Sequence, residues 1–173
     1  MRKILFICEH NSARSQMAEA FLNNLSGGKL KAESAGLEPG SINPFVAAVM
    51  KEENIDISDK STQSVYELYK NGNQYDAVIT VCSPEVSRKC PIFPGRVFRR
   101  NWPFDDPSAA EGTDDQKLEY VRKIRDQIRD QVKLYVEDFE KKGFNLFLES
   151  DDCIFASRCF TFPSSCGEKF SII

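Results

Sequence analysis

Apolar residues along this chain alternate between two patterns: short unbroken runs, and stripes that recur every three or four positions. The first run is Ile4-Leu5-Phe6-Ile7. With no polar interruption it predicts a strand over 3–7, buried on both faces as in a covered parallel sheet. A stripe follows, with Met17, Phe21 and Leu25 on one face and Ala18 and Leu22 beside them, while Gln16, Glu19, Asn23 and Asn24 take the other face. That is an amphipathic helix from Ser15 to Leu25, ended by Gly27-Gly28. Residues 30–34 read as a second strand running into Ser34-Ala35-Gly36. Asn43-Pro44 opens a helix that carries Phe45, Val46, Val49 and Met50. Ser64 to Glu67 has the form of a capping box before another short helix.

The second clear buried run is Tyr75 to Val81, ending at Cys82. Residues 83–101 carry proline and charge and read as loop, with a short strand at Val97-Phe98. Thr113-Asp114-Asp115-Gln116 is a second capping box. The long helix behind it places Val121, Ile124, Ile128, Val132, Tyr135 and Phe139 on one stripe, and Arg122, Asp126, Arg129, Asp130 and Lys133 on a face expected to meet water. Gly143 breaks the helix, and no clean period follows. Strands alternating with helices predict an α/β fold: one three-layer domain over 1–142, with a central parallel sheet flanked by helices. Residues 143–173, with Cys153, Cys159, Cys166 and several phenylalanines, form an extension. Their cysteine spacing is wider than a zinc pattern; the extension is expected to pack loosely or to cover an apolar patch, and the alternative is an extra redox or metal element.

The 173 residues hold 41% hydrophobic and 28% charged side chains, ordinary values for one globular domain. A net charge of −3 argues against a nucleic-acid binder. No apolar stretch reaches the ~20 residues of a membrane helix, and the N-terminal apolar run is too short for a signal peptide. A cytoplasmic location is therefore expected, with the six cysteines mostly reduced. His10 is the one histidine, which excludes multi-histidine metal sites.

Against this background Cys8-Glu9-His10-Asn11-Ser12-Ala13-Arg14-Ser15 stands out. A sulfur at the end of a buried strand, a short loop of small residues, an arginine and a helix N-terminus together form an anion cradle. Backbone N–H groups and the helix dipole attract the anion, and Arg14 can bind two of its oxygens. Such surroundings also hold a thiol as thiolate. The alternative is a structural cysteine beside a surface arginine, which needs none of this context. Ser15 can donate to the sulfur, and Asn11 can lock the loop by side-chain to backbone hydrogen bonds. Glu9 opposes anion binding unless it points to solvent. His10 either assists the thiolate or faces solvent. In an open parallel sheet, ligands sit at the carboxyl ends of strands. Cys8 and Cys82 both lie at such ends, so two sulfurs could meet there.

Ile4–Cys8 followed by Asn11 to Ala20 resembles the thioredoxin-coupled arsenate reductases built on the low-molecular-weight protein tyrosine phosphatase fold. The likeness continues through Glu33-Ser34-Ala35-Gly36, Gly40 to Pro44, Ile55 to Ser58, Val78 to Cys82, Cys90-Pro91, Trp102 and Phe104-Asp105-Asp106-Pro107. It covers about 1–140 and leaves the extension unmatched.

The resemblance implies that arsenate or phosphate binds in the 8–15 loop, that Cys8 attacks it and that Asp106 is the general acid. It also implies that Cys82 then attacks Cys8, that Cys90 attacks Cys82, and that thioredoxin reduces the last disulfide. The chain is read as a monomer with no cofactor. Some members bind potassium with residues matching Asn11, Glu19, Ser34 and an acid; Gln63 stands in the acid's place and argues against that site. A phosphatase of the same fold is the runner-up, although Ser108-Ala109-Ala110-Glu111 stand where its tyrosines would follow Asp-Pro. A non-catalytic oxyanion sensor is the third reading. It would need a damaged site, yet Cys8, Arg14 and Asp106 are all in place.

Overall fold

The N-terminal apolar run becomes an inner strand of the sheet. The structure, a computed structural model, describes residues 1–95 and 97–143. The extension with Cys153, Cys159 and Cys166 therefore lies outside the described residues, apart from Gly143. In chain order the elements are β1 (Arg2–Cys8), α1 (Arg14–Leu25), β2 (Leu30–Gly36), α2 (Pro44–Glu52), α3 (Val65–Lys70), β3 (Ala77–Thr80), α4 (Pro84–Ser87), β4 (Phe98–Asn101), a 3-10 turn (Pro107–Ala109) and α5 (Asp114–Lys142). The sheet order is β2-β1-β3-β4, and every pairing is parallel.

Successive side chains of β1 serve opposite layers, as a strand's period of two requires. Ile4, Phe6 and Cys8 join a core with Met17, Phe21 and Leu22 of α1, Val46 and Met50 of α2, and Ile124 and Ile128 of α5. Leu5 and Ile7 join a second core with Val65 and Leu68 of α3, Cys90 and Phe93. The three-layer α/β architecture follows directly. Each fully buried Leu, Ile or Phe contributes about 1.5–3 kcal/mol, so β1 is held from both sides. From β1 the chain passes through α1 to β2 on one side, while β3 lies on the other. The sheet's switch point thus falls between the ends of β1 and β3, where open sheets of this kind bind ligands. Cys8 ends β1, and Cys82 follows β3 by two residues.

The segment expected to be loop over 83–101 contains α4 and β4. Four residues are too few to show a helical period. β4 reads Phe98-Arg99-Arg100-Asn101, polar because it is the edge strand, where charge blocks pairing with another chain. β3 is shorter than the apolar run predicts. Tyr75 lies before it and is buried, donating its hydroxyl hydrogen to Glu33 Oε2 at 2.7 Å.

The capping box at Thr113 forms as expected, with Gln116 returning the hydrogen bond. The charged face of α5 needs correction. Lys133 and Asp130 are exposed, but Arg122, Asp126 and Arg129 are half-buried, and Arg125 between them is buried. All the arginines reach the end of α2. Arg122 binds Glu52 with Nε and Nη2 at 2.7–3.0 Å. Arg125 Nη1 donates to Glu52 Oε2 and to the Val49 carbonyl, and Arg129 Nη1 pairs with Glu53 at 2.9 Å.

The hydrogen bonds from Arg122, supported by Arg125, hold the Glu52 carboxyl down to about 2 against some desolvation. A carboxylate depressed in the folded state stabilises above its unfolded value near 4.5 and loses that contribution as pH falls through about 2. Glu52→Gln should therefore destabilise at pH 7 by roughly 1 kcal/mol, screened because the pair is partly exposed. Its deficit in urea unfolding should shrink steadily below pH 4.5. A deficit that stays constant down to pH 2.5 would show that the ion pair is not the cause.

Candidate active site

The loop joining β1 to α1 is shaped by where its carbonyls go. The carbonyl oxygens of Cys8, Glu9, His10 and Ser12 accept from the N–H groups of Leu37, Glu38, Gly40 and Asn43 at 2.9–3.2 Å. In a trans peptide the N–H of the next residue points the opposite way. The amides of Glu9, His10, Asn11 and Ala13 are thereby turned inward. Asn11 shows the result directly: its N–H lies 3.1 Å from Cys8 Sγ. At the loop's end α1 begins at Arg14, and its N-cap Ala13 makes no side-chain capping bond, so the first-turn amides are open to an anion.

Asn11 locks this shape. It is fully buried and takes a left-handed φ of 52°, which asparagine tolerates better than most residues. Its Oδ1 accepts from the backbone N–H of Gln63 at 3.0 Å and from Gln16 Nε2 at 3.2 Å. The backbone donor fixes the amide's orientation, so Nδ2 must face the two serine hydroxyls, each at 2.9 Å. Each hydroxyl accepts from Asn11 and has a single hydrogen to pass on. Ser34 gives its hydrogen to Glu19 Oε2 at 2.5 Å. Ser15 is then free to give its own to Cys8 Sγ, 2.9 Å away. Two donors thus converge on the sulfur.

Gly36 makes the loop's position possible. A Cβ there would lie 2.7 Å from Asn11 N and 2.9 Å from Glu9 O, both backbone atoms. Its own N–H donates to the Gln63 carbonyl at 2.9 Å. Sequence reading placed Gly36 in a motif but not in this role, and it missed Gln16 and Gln63 as partners of Asn11. The Gln63 contact joins segments 52 residues apart, which no local pattern signals, and the Gln16 contact depends on the turn of the loop between them.

Arg14 is buried and bridges the loop to the segment before the 3-10 turn. Nη2 pairs with Asp106 Oδ2 at 2.8 Å, and Nη1 donates to the Phe104 carbonyl at 3.1 Å. Asp106 also caps the turn, accepting from Ser108 N at 2.9 Å. Its carboxyl is therefore aimed by contacts on both oxygens. A cleft of about 400 Å³ opens between them, lined by Glu9, Arg14, Cys82, Phe104, Asp105 and Asp106. Glu9 does not leave the site, whereas His10 is exposed with Nδ1 against the Glu38 carbonyl at 3.1 Å.

Cys8, Cys82 and Cys90 are all free and all buried. Burial pushes the Cys82 thiol up to about 12, the Cys90 and Cys8 sulfurs and Glu9 adding to the rise and Arg14 opposing it. Burial likewise raises Cys90, to about 11, with Arg99 opposing and Cys8 adding. Asn11, Glu19 and Ser34 also come together, and Lys60 Nζ pairs with the remaining Glu19 oxygen at 2.6 Å. Gln63 turns its amide onto the Ser34 carbonyl at 2.8 Å.

A sequence profile of the low molecular weight phosphotyrosine protein phosphatase family matches residues 3–145. An arsenate reductase of Bacillus subtilis strain 168 is 38% identical over 134 residues, covering 78% of this chain and 94% of its own. A solved arsenate reductase in the phosphate binding state is 33% identical with a TM-score of 0.61, covering 80% of this chain and 98% of its own. The Corynebacterium glutamicum thioredoxin-dependent arsenate reductase is 27% identical with a TM-score of 0.54, covering 78% of this chain and 63% of its own.

Gly36→Ala should keep the fold but displace the loop. Phosphate affinity and hydrolysis of an aryl phosphate should both fall at least tenfold, to order of magnitude, since misplaced amides lose their geometry. Wild-type kcat/KM in that variant would contradict this account of the loop. The reduced protein treated with iodoacetamide at pH 7 should be modified first at Cys8, with Cys82 and Cys90 slower by about tenfold or more, since only thiolates react. Raising the pH towards their raised values should speed the labelling of Cys82 and Cys90. Peptide mapping that found Cys82 labelled first would overturn this ordering.

Proposed function

The chain belongs to the low molecular weight phosphotyrosine protein phosphatase family, and within it we propose that this protein reduces arsenate to arsenite through three cysteines. The observation that carries the reading is the presence of two further free, buried thiols: Cys82 lining the cleft with Glu9 and Arg14, and Cys90 in the second core at the end of the segment that follows. Phosphoester hydrolysis requires only Cys8, Arg14 and Asp106, and gives those sulfurs nothing to do.

Arsenate enters the loop on the inward amides and the guanidinium of Arg14. The Cys8 thiolate attacks arsenic, and Asp106 delivers a proton to the departing oxygen, which leaves as water. Cys82 then attacks Cys8 Sγ. The sulfur–arsenic bond breaks with its electron pair remaining on arsenic, which leaves as arsenite, and a Cys8–Cys82 disulfide forms. The Cys82 proton leaves as it attacks, and the arsenic-bound oxygens are the bases at hand. Cys90, after losing its proton, attacks Cys82 and releases Cys8 as thiolate. The remaining Cys82–Cys90 disulfide passes to a dithiol protein, for which thioredoxin is the first candidate. This reading places a monomer in a reducing cytoplasm, with no metal or organic cofactor. Among the described residues no helix is long and apolar enough to cross a membrane.

Three substitutions separate the steps. Cys8→Ser should abolish both arsenate reduction and aryl phosphate hydrolysis, because a serine hydroxyl there stays protonated. Cys82→Ser should release no arsenite yet hydrolyse aryl phosphate at near wild-type rate. Cys90→Ser should give about one arsenite per protein, then stop as the Cys8–Cys82 disulfide. Arsenite release is followed beside NADPH oxidation, with thioredoxin and thioredoxin reductase present. Repeated thioredoxin-driven turnover by Cys90→Ser would remove Cys90 from the relay.

A further inference from the structure

A polar cluster at the rim of the sheet takes no part in the chemistry above. Thr80 ends β3, and Asn101 ends β4 in register beside it. The buried Thr80 hydroxyl lies 2.7 Å from the hydroxyl of Ser87, the last residue of α4. Asn101 Nδ2 donates to Thr80 Oγ1 at 2.8 Å and to the Cys82 carbonyl at 2.9 Å. One asparagine amide and one threonine hydroxyl therefore hold both Cys82 and the far end of α4.

α4 cannot hold itself. It has four residues, and its N-cap Ser83 makes no side-chain capping bond. So short a helix is unstable alone, and contacts elsewhere must impose its shape. Those contacts are the Ser87 hydroxyl, the half-buried Val86 packed on the second core, and Tyr66 Oη donating to the Lys89 carbonyl at 3.3 Å. The coil continues to Cys90, whose N–H donates to the Ser87 carbonyl at 3.2 Å and whose side chain is buried with Phe93 and Leu68.

Cys82 lines the cleft, whereas the Cys90 side chain is buried in the second core with Phe93 and Leu68. A disulfide between them would take Cys90 out of that core, and the shift of the segment would part Ser87 from Thr80. We propose that Thr80, Ser87 and Asn101 form a latch that keeps the 82–90 segment coiled with Cys90 buried, and that Ser87 is a positioning residue whose release sets when Cys90 can act. Bonding of Cys82 to Cys8 would draw its carbonyl away from Asn101, the amide that also holds Thr80, and so loosen the latch after arsenite has left. The role in turnover rests on the relay proposed above, whereas the latch itself does not.

The test uses the full-length reduced chain, iodoacetamide and peptide mapping of each cysteine. Ser87→Ala should label Cys90 about fivefold faster than wild type, the effect of one lost hydrogen bond on local opening. Ser87→Thr restores a hydroxyl and should protect Cys90 as wild type does. Cys8 labelling and aryl phosphate hydrolysis should stay unchanged in both variants. In rapid-quench experiments with arsenate, Ser87→Ala should convert Cys8–Cys82 to Cys82–Cys90 faster by the same factor. Equal Cys90 labelling in wild type and Ser87→Ala would overturn the latch, as would an increase shared by Cys8. Faster Cys90 labelling in a protein that turns over no arsenate would support the latch and overturn its place in a relay.

Discussion

The four hydrogen bonds of the Asn11 side chain are the constraint on which this site depends. They tie a left-handed loop residue to Gln63 beyond β2, to Ser34 within β2, and to Ser15 and Gln16 in α1. No water reaches the residue, so each lost contact would leave a buried group unsatisfied at about 1–3 kcal/mol. The arrangement is also directional. The Gln63 amide fixes Asn11 Oδ1, Asn11 Nδ2 occupies an acceptor site on both serines, and the Ser15 hydrogen is left for Cys8. A hydrogen-bond inventory thereby aims a donor at the nucleophile.

The other two thiols are stored differently. Cys8 receives two donors, whereas burial keeps Cys82 and Cys90 protonated, with values raised to about 12 and about 11. Two thiols kept protonated are poor nucleophiles and are held in reserve. Movement or a new local charge must then bring each reserve thiol into play. The sheet supports this division: Cys8 and Cys82 flank its switch point, while Cys90 belongs to the core on the face opposite Cys8.

Some of this could be read from the chain alone. The run Ile4–Ile7 and the stripe Met17–Leu25 announce β1 and α1 because burial on two faces and on one face leave different periods. Asn43-Pro44 and Thr113–Gln116 mark helix starts because capping is local chemistry. The strand read at Val97-Phe98 is β4, whose further extent to Asn101 was obscured because a sheet edge favours arginines over apolar residues, and α4 was missed because four residues carry no period. Arg125 was not recognised as buried, since its guanidinium is satisfied by α2, 76 residues away in the chain at the Val49 carbonyl. The sequence marked Cys8, Arg14 and Asp106 as candidates, and the structure pairs Arg14 with Asp106 at one cleft, while Cys8 opens the loop that ends at Arg14. The need for glycine at 36 was invisible, because it arises where the end of β2 meets a loop from another part of the chain.

The most direct test of this account is the isosteric substitution Asn11→Asp. Aspartate can still accept from Gln63, but it has no N–H to offer Ser15 or Ser34, so the Ser15 hydrogen is drawn to the new carboxylate and away from Cys8. The iodoacetamide reaction of Cys8 at pH 7 should then slow by about tenfold or more, the loss of one hydrogen bond to a charged sulfur. Labelling of Cys82 and Cys90 should not change. Cys8 reacting at the wild-type rate in Asn11→Asp would contradict the claim that this one side chain sets the nucleophile.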